Sequence, residues 1–225
     1  MKLPFFNRKR YLDIKCYTDV QFHIDECPIT LSSKLPAMKP CRDVAKYDVS
    51  FRTCYGDIAG MKRSLAVPSW TEMDFKCVSE KEGAFYRYAD TCQGNSKIEP
   101  HNDPYYQPRS GTIVKIGSPW MIEEKTGVEF VVAKHIRNMT PMAIPSGITR
   151  YDKIHVVNIF NLLPNRPFEY RVPFKKPLVA LYPMSDLPMH VECIYDPAMR
   201  TRLADKCLNY GHFTANLLKL TKNKY

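Results

Sequence analysis

The sequence is poor in glycine, in long apolar runs and in the compact motifs that build common catalytic and cofactor sites. Only 9 of its 225 residues are glycine, against 18 prolines. It contains no G-x-S-x-G elbow, no G-x-x-x-x-G-K-[ST] phosphate loop and no G-x-G-x-x-G fingerprint. No apolar run approaches the ~18 residues that a membrane-spanning helix needs. These absences exclude hydrolases, nucleotidases and dehydrogenases built on those motifs, and they predict no membrane partner.

The cysteine and histidine spacings also argue against metal chemistry. None of the 8 cysteines forms a C-x-x-C pair, and none of the 6 histidines forms an H-x-H or H-x₃-H pair, which are common spacings in zinc sites. The apolar stretch Leu3–Phe6 is far too short for the core of a signal peptide. We therefore expect no metal, no cofactor, and mostly buried free thiols made in a reducing cytoplasm.

One short pattern resembles the start of a zinc-deaminase signature. His190, Glu192 and Cys193 supply its His-x-Glu opening, but that chemistry also needs two thiolates from a downstream P-C-x-x-C. Only Cys207 follows. The segment is better interpreted as a strand with alternating side chains, and no catalytic residue is predicted.

What the sequence does contain is a series of short β-type runs separated by proline or glycine, which predicts a mainly β, sandwich-like or barrel-like core. The runs are Tyr11–Thr18, Ser69–Val78, Gly83–Tyr88, Thr112–Ile116, Trp120–Glu123, Val128–Ala133, Met142–Ile144, Lys153–Asn161, Phe168–Val172 and Leu178–Tyr182. The segment Phe51–Gly60 indicates a short helix or turn. Helical spacing returns in Ala198–Leu208 and His212–Leu220, with Gly211 as a stop between them.

The organisation predicted from these patterns has three parts. Residues 1–50, interrupted by Pro28, Pro36 and Pro40, are expected to form an extended N-terminal arm. Residues 51–195 are expected to form the β-rich core domain, and residues 196–225 a segment of short C-terminal helices.

The net charge of +10 attracts acidic partners, nucleic acid among them. The densest basic run, Arg8–Arg10, lies near the N-terminus and lacks interleaved aromatic residues. A contact to nucleic acid, or a role as a DNA-binding accessory factor, therefore rests on charge alone.

The strand block also resembles an uncharacterised protein family of tailed bacteriophages, notably marine T-even-like ones. That family carries SPW, PG and IP patterns, and the shared positions cover roughly residues 50–185. They are Ser118, Pro119, Trp120, Ile122, Gly127, Gly147, Lys175 and Pro183, with Cys54, Pro68, Trp70 and Thr71 upstream. The resemblance implies a phage protein and says little about its activity.

The same block is similar in layout to the β-clip of dUTPases, in which a turn supplies an aspartate that activates water. Here Gly147–Tyr151 occupies that turn, with Arg150 where the acid would be needed and Asp152 after the tyrosine. The resemblance implies a β-clip scaffold without its general base. If a nucleotide-like ligand binds, the expected contacts are Arg150, Tyr151 and Asp152, with His101 and Asp103 from the polar loop.

The expected function is therefore that of a non-enzymatic virion subunit, made in the host cytoplasm and engaged in protein–protein contacts as a head-decoration or head–tail accessory protein. Its expected partners are other virion proteins, and self-association stays open. The alternative is an intracellular dUTPase-like nucleotide-binding protein or hydrolase that acts in host takeover.

Overall fold

The computed structural model describes most of the β-type runs. The described residues are 11–36, 55–79, 83–88, 98–100, 111–138, 140–164, 166–199 and 201–203. Their strands, numbered in chain order, are β1 Leu12–Thr18, β2 Thr30–Leu31, β3 Leu65–Pro68, β4 Met73–Ser79, β5 Gly83–Tyr88, β6 Ile98–Pro100, β7 Gly111–Glu124, β8 Glu129–Lys134, β9 Gly147–Arg150, β10 Val156–Pro164, β11 Phe168–Val172, β12 Pro177–Pro183 and β13 Met189–Tyr195. The helices are α1 Gln21–Glu26 and α2 Tyr55–Lys62, with a 3₁₀ turn at Ser32–Lys34. The prediction of a mainly β protein is confirmed.

The strands form three sheets. Sheet A has the order β10-β7-β1-β13, with β6 also paired to β7; sheet B has the order β2-β3-β12-β8-β9; sheet C has the order β11-β4-β5. All pairs are antiparallel except β1 with β13, which run parallel. Buried side chains from all three sheets belong to one continuous apolar cluster, so the sheets share a core.

The first described strand lies inside this core. β1 is paired on one side with β7 and on the other with β13, and Leu12, Ile14 and Cys16 have no exposed surface. Residues 12–18 therefore belong to the core domain and not to an arm that lies over it, because alternate apolar side chains of β1 fill the centre of the shared cluster. Residues 1–10 and 37–50 of the predicted arm lie outside the described residues.

The two runs expected at Thr112–Ile116 and Trp120–Glu123 are one strand, β7. Proline has no N–H for a ladder, so it is tolerated where pairing is interrupted. The pairing of β10 with β7 shifts register between the pairs Asn158–Gly117 and Val156–Met121. Pro119 lies between Gly117 and Met121, where the pairing is interrupted. The amide of Trp120 is satisfied locally by the Ser118 hydroxyl at 3.0 Å. The bulge thus allows Pro119 to lie within the long strand β7 without dividing it into two strands.

Other predicted elements match or differ locally. Gly83–Tyr88 and Phe168–Val172 are strands with the expected bounds. Met142–Ile144 contributes only an isolated bridge from Ala143 to Leu162. Residues 199 and 201–203 are helical, and Met199 and Leu203 pack with Tyr17 on the second face of sheet A. The rest of the predicted C-terminal helices, from residue 204 onward, lies outside the described residues.

The described cysteines are not joined in disulfides. Cys16 and Cys27 are buried and Cys193 is half-buried. Cys16 lies directly opposite Cys193 in the β1–β13 register, and the Cys193 thiol donates to the carbonyl of Ile29 at 3.3 Å. Among the described helices, none is long and apolar enough to cross a membrane.

The burial of β1 leads to a stability prediction. Ile14→Ala should lower the free energy of unfolding by about 2–5 kcal/mol, because it removes a fully buried side chain from the shared core. Asp13→Ala, which alters a side chain that meets the exposed His190, should cost less than about 1 kcal/mol. Urea unfolding of both variants measures the difference. If both variants lose the same small amount of unfolding free energy, the side chains of β1 do not stabilise the core.

Candidate functional site

The predicted contact residues around Gly147–Asp152 interact with one another and with the core. Tyr151 is 1% exposed, and its ring packs edge-on against Phe130 with centroids 5.2 Å apart. Burial raises the pKa of its hydroxyl well above the ordinary value. Arg150 pairs with Asp152 through two hydrogen bonds, Nε to Oδ1 at 3.1 Å and Nη2 to Oδ2 at 2.8 Å. A ligand at this turn would have to displace these internal contacts.

Partial burial of Asp152 opposes its ionisation. The hydrogen bond and charge of Arg150, with a smaller effect from Lys153, outweigh that burial and lower the pKa of the Asp152 carboxyl. The carboxylate is therefore the acceptor half of an ion pair. His101 and Asp103, the other two predicted contacts, lie outside the described residues.

The guanidinium of Arg150 also covers the turn between β7 and β8. Gly127 in that turn has φ +80°, and a Cβ at this position would lie 2.7 Å from Arg150 Nη2. The buried Glu124 carboxylate accepts the backbone N–H groups of Thr126, Gly127 and Val128 at 2.8, 3.1 and 3.3 Å. The turn is thus stabilised by the buried Glu124 carboxylate, and it is covered by the Arg150 guanidinium at Gly127.

The His-x-Glu-Cys segment is strand β13, and its side chains alternate as expected. His190 and Glu192 are exposed, whereas Val191 and Cys193 pack against the core. His190 Nδ1 lies 3.2 Å from Asp13 Oδ1. In the described part of the chain, no group of three or more His, Cys, Asp or Glu residues is placed to hold a metal ion.

A Ser–His pair that the sequence did not single out lies under the 3₁₀ turn. His135 Nε2 is 3.3 Å from Ser32 Oγ, and Ser32 Oγ is 2.7 Å from Ser64 Oγ. The backbone N–H of Arg137 donates to His135 Nδ1 at 3.0 Å, so the neutral ring carries its proton on Nε2 and donates to Ser32. In this arrangement the imidazole cannot accept the serine proton, as a nucleophilic dyad would require.

Burial, with a smaller effect from the charge of Arg137, lowers the pKa of His135 to about 4. Ser32, Ser64 and His135 are each at most 1% exposed. The trio therefore works as a neutral hydrogen-bonded link that holds the 3₁₀ turn to the strands beneath it.

A groove in two adjoining parts lies along β11. Its first part, about 510 Å³, lies between Phe168–Tyr170 and the wall formed by Pro141, Ala143 and Leu162. Its second part, about 320 Å³, continues past Arg171 toward Lys176 and is bounded by Arg137 and Thr140. Pro141 borders both parts, which therefore form one groove.

The wall opposite β11 is held in place by hydrogen bonds. Lys134 Nζ donates to the Thr140 carbonyl at 2.6 Å, and Asn138 Nδ2 donates to the Leu178 carbonyl at 3.0 Å. The amide of Leu162 donates to the Ala143 carbonyl at 2.8 Å. Because both walls are fixed before a ligand arrives, little ordering is needed on binding.

The groove is lined by more cations than anions. Arg166 stands at one end, Arg137 and Lys176 at the other, and Glu169 is the acidic residue of the described lining. Arg171 is already paired with Glu72 and lies 3.7 Å from Asp74. Among the described residues no carboxylate pairs with Arg137, Arg166 or Lys176. Arg137 instead donates to the Pro36 carbonyl at 2.6 Å.

Comparison with known proteins adds no relative: no protein-family model and no curated protein sequence matches the chain. The resemblance of Ser118–Trp120 and the other shared positions to a phage family therefore stays a prediction.

The groove was not predicted from the sequence. The sequence predicts Phe168–Val172 as a strand, but it gives no sign of the wall that faces it. The local signal that β11 is an edge strand was present in its flanking prolines, Pro167 and Pro173. Nothing in the sequence places Pro141 beside it, because this contact joins segments about 30 residues apart along the chain.

The clamp on the β7–β8 turn predicts a non-additive pair of variants. Gly127→Ala should lower the free energy of unfolding by about 1–3 kcal/mol, from backbone strain at positive φ together with the clash with Arg150. In an Arg150→Ala background the same substitution should cost less, since only the backbone strain remains. A double-mutant cycle by urea unfolding measures the coupling. Strict additivity would mean that Arg150 does not cover Gly127.

The buried imidazole predicts a pH dependence. A histidine whose pKa is lowered on folding stabilises the protein fully above its unfolded pKa of 6.5, and the contribution is lost as pH falls toward about 4. His135 should account for up to about 3 kcal/mol of that fall. Unfolding free energies of wild type and His135→Gln, measured from pH 7 to pH 4, should converge. A His135→Gln curve that runs parallel to the wild-type curve would contradict the assignment.

Proposed function

We propose that the chain is a non-enzymatic binding protein that serves as a virion structural or accessory subunit of a bacteriophage, in head decoration or at the head–tail junction. The observation that carries a binding role is the preformed groove along β11, which combines a fixed wall with cations that have no carboxylate partner in the described part of the chain. Such a concave, pre-organised surface is typical of a recognition site. The assignment to a virion rests on the phage-family resemblance.

The β-rich architecture agrees with this role but does not select it, because one fold hosts many functions. The predicted arm lends less support than the sequence suggested, since β1 is a central strand of the chain's own core. What remains in favour of contacts with other proteins is the groove and the net charge of +10, which suits an acidic partner surface.

The nucleotide-binding alternative would use the turn Gly147–Asp152. There the Tyr151 ring lies in the core, and Arg150 is engaged by Asp152. Since the expected ligand-facing groups already have partners within the chain, we prefer the binding-protein role.

The virion assignment is tested by mass spectrometry of density-purified phage particles. The chain should be detected at a fixed copy number relative to the major capsid protein and should stay with the particles through a high-salt wash. Abundant host cytoplasmic proteins serve as the carry-over control. Detection in infected-cell lysate but not in particles would refute the virion role. In that case, stabilisation by a pyrimidine nucleotide in a thermal-shift panel would support the alternative.

A further inference from the structure

The groove runs along an edge of β11 with which no other described strand pairs. Phe168, Glu169 and Tyr170 line its first part, and Arg171 lines the second. Successive side chains of a strand point to opposite faces of its sheet, so four consecutive residues can border one groove only if it follows the strand's edge. β11 is the end strand of sheet C, and in the described part of the chain only β4 pairs with it. An edge of this kind is a template for another extended segment.

Proline sets the length of that edge. Pro167 and Pro173 flank β11 directly, and neither can donate a ladder hydrogen bond. Five residues, Phe168–Val172, remain between them, which corresponds to an extended segment of about 17 Å at ~3.3 Å per residue. The site is therefore suited to a short strand and discourages open-ended sheet growth.

The charges select an acidic occupant. Arg166 lies at one end of the groove and Arg137 with Lys176 at the other, so carboxylates near both ends of a bound segment would meet cations. The opposite wall, formed by Pro141, Ala143 and Leu162, offers an apolar surface to side chains at its centre.

The basic segments of a second copy do not meet this requirement. Arg8–Arg10 and the lysines Lys219, Lys222 and Lys224 would bring cations to the groove's own cations. An acidic segment of a different protein meets it, because its carboxylates would complement those cations.

Single-stranded nucleic acid is the less suitable anion. Its non-specific binding relies on aromatic faces on which bases stack. Here Phe168 stacks on Tyr170 with centroids 5.5 Å apart, and Tyr170 stacks on Phe75 at 5.0 Å. The Tyr170 ring thus stacks on both Phe75 and Phe168. Its hydroxyl accepts a hydrogen bond from the buried Asn161 at 2.8 Å.

We propose that β11 binds an acidic, extended segment of another protein by strand addition, with the backbone of the segment pairing along Phe168–Val172 and its carboxylates meeting Arg166, Arg137 and Lys176. This inference rests on the proposed role as a binding subunit and names the partner chemistry of its groove. Main-chain pairing would supply affinity, and the flanking charges would supply specificity.

The test uses fluorescence anisotropy with four labelled probes. They are a nine-residue peptide of alternating Glu and Val, its Lys–Val counterpart, a Glu–Val peptide with N-methylated backbone amides, and a 15-nucleotide oligothymidine. The full chain is compared with the groove variant Arg166→Glu/Lys176→Glu. The charge-matched control is Lys62→Glu/Lys125→Glu, at exposed sites that do not line the groove. Circular dichroism and unfolding curves establish that both variants fold.

The Glu–Val peptide should bind the full chain and the control variant equally, and the groove variant about 10-fold or more weakly. N-methylation should weaken binding by a similar factor, because it removes the ladder donors, and the Lys–Val peptide should not bind. Equal binding of the N-methylated peptide would overturn strand addition. If only the oligonucleotide binds, and its binding is lost in the groove variant, the proposed peptide occupant is refuted and nucleic acid is favoured.

Failure of the two proposals can be told apart. If no probe binds but the chain is found in purified particles, strand addition to β11 is refuted and the virion role stands. If the acidic peptide binds but the chain is absent from particles, the groove assignment stands and the virion role is refuted.

Discussion

The parallel pairing of β1 with β13 joins segments that are almost 180 residues apart in the chain, and the rest of the described structure depends on it. β1 also pairs with β7, so it lies between the long strand β7 and β13, the last described strand. Its side chains Leu12, Ile14 and Cys16 fill the centre of the cluster shared by the three sheets. Closing a loop of this length costs conformational entropy, and burial of apolar surface must offset that cost.

Around this core, polar groups hold the loops in place. The Glu124 carboxylate and the Arg150 guanidinium fix the β7–β8 turn from opposite sides, and the Ser32–Ser64–His135 link fixes the 3₁₀ turn. Buried polar groups are costly unless their hydrogen bonds are satisfied. The hydrogen-bond partners of the buried residues among these, within the chain, account for their burial.

The groove along β11 results from the meeting of two sheets at their edges. Sheet A ends at β10 and sheet C ends at β11, and the segment around Pro141 bridges to Leu162 without closing onto β11. The flanking prolines limit the open edge to five residues. A short edge bordered by charged residues is protected against aggregation. Because it is pre-formed, it can still pair with one extended segment at a low entropic cost.

The sequence by itself determined the local elements: alternating apolar residues predicted β11 and β5 with their bounds, and the helical onset after Asp196 agrees with the helical residues 199 and 201–203. It also identified the His190 segment as a strand. It did not determine that Pro119 sits inside one long strand, that residues 12–18 are central to the core, or that Tyr151 points inward. Those outcomes depend on which strands become neighbours, and neighbours are chosen by packing among residues far apart in the chain. Strand periodicity is a local property, whereas the groove and the burial of a predicted contact residue are set by tertiary structure alone.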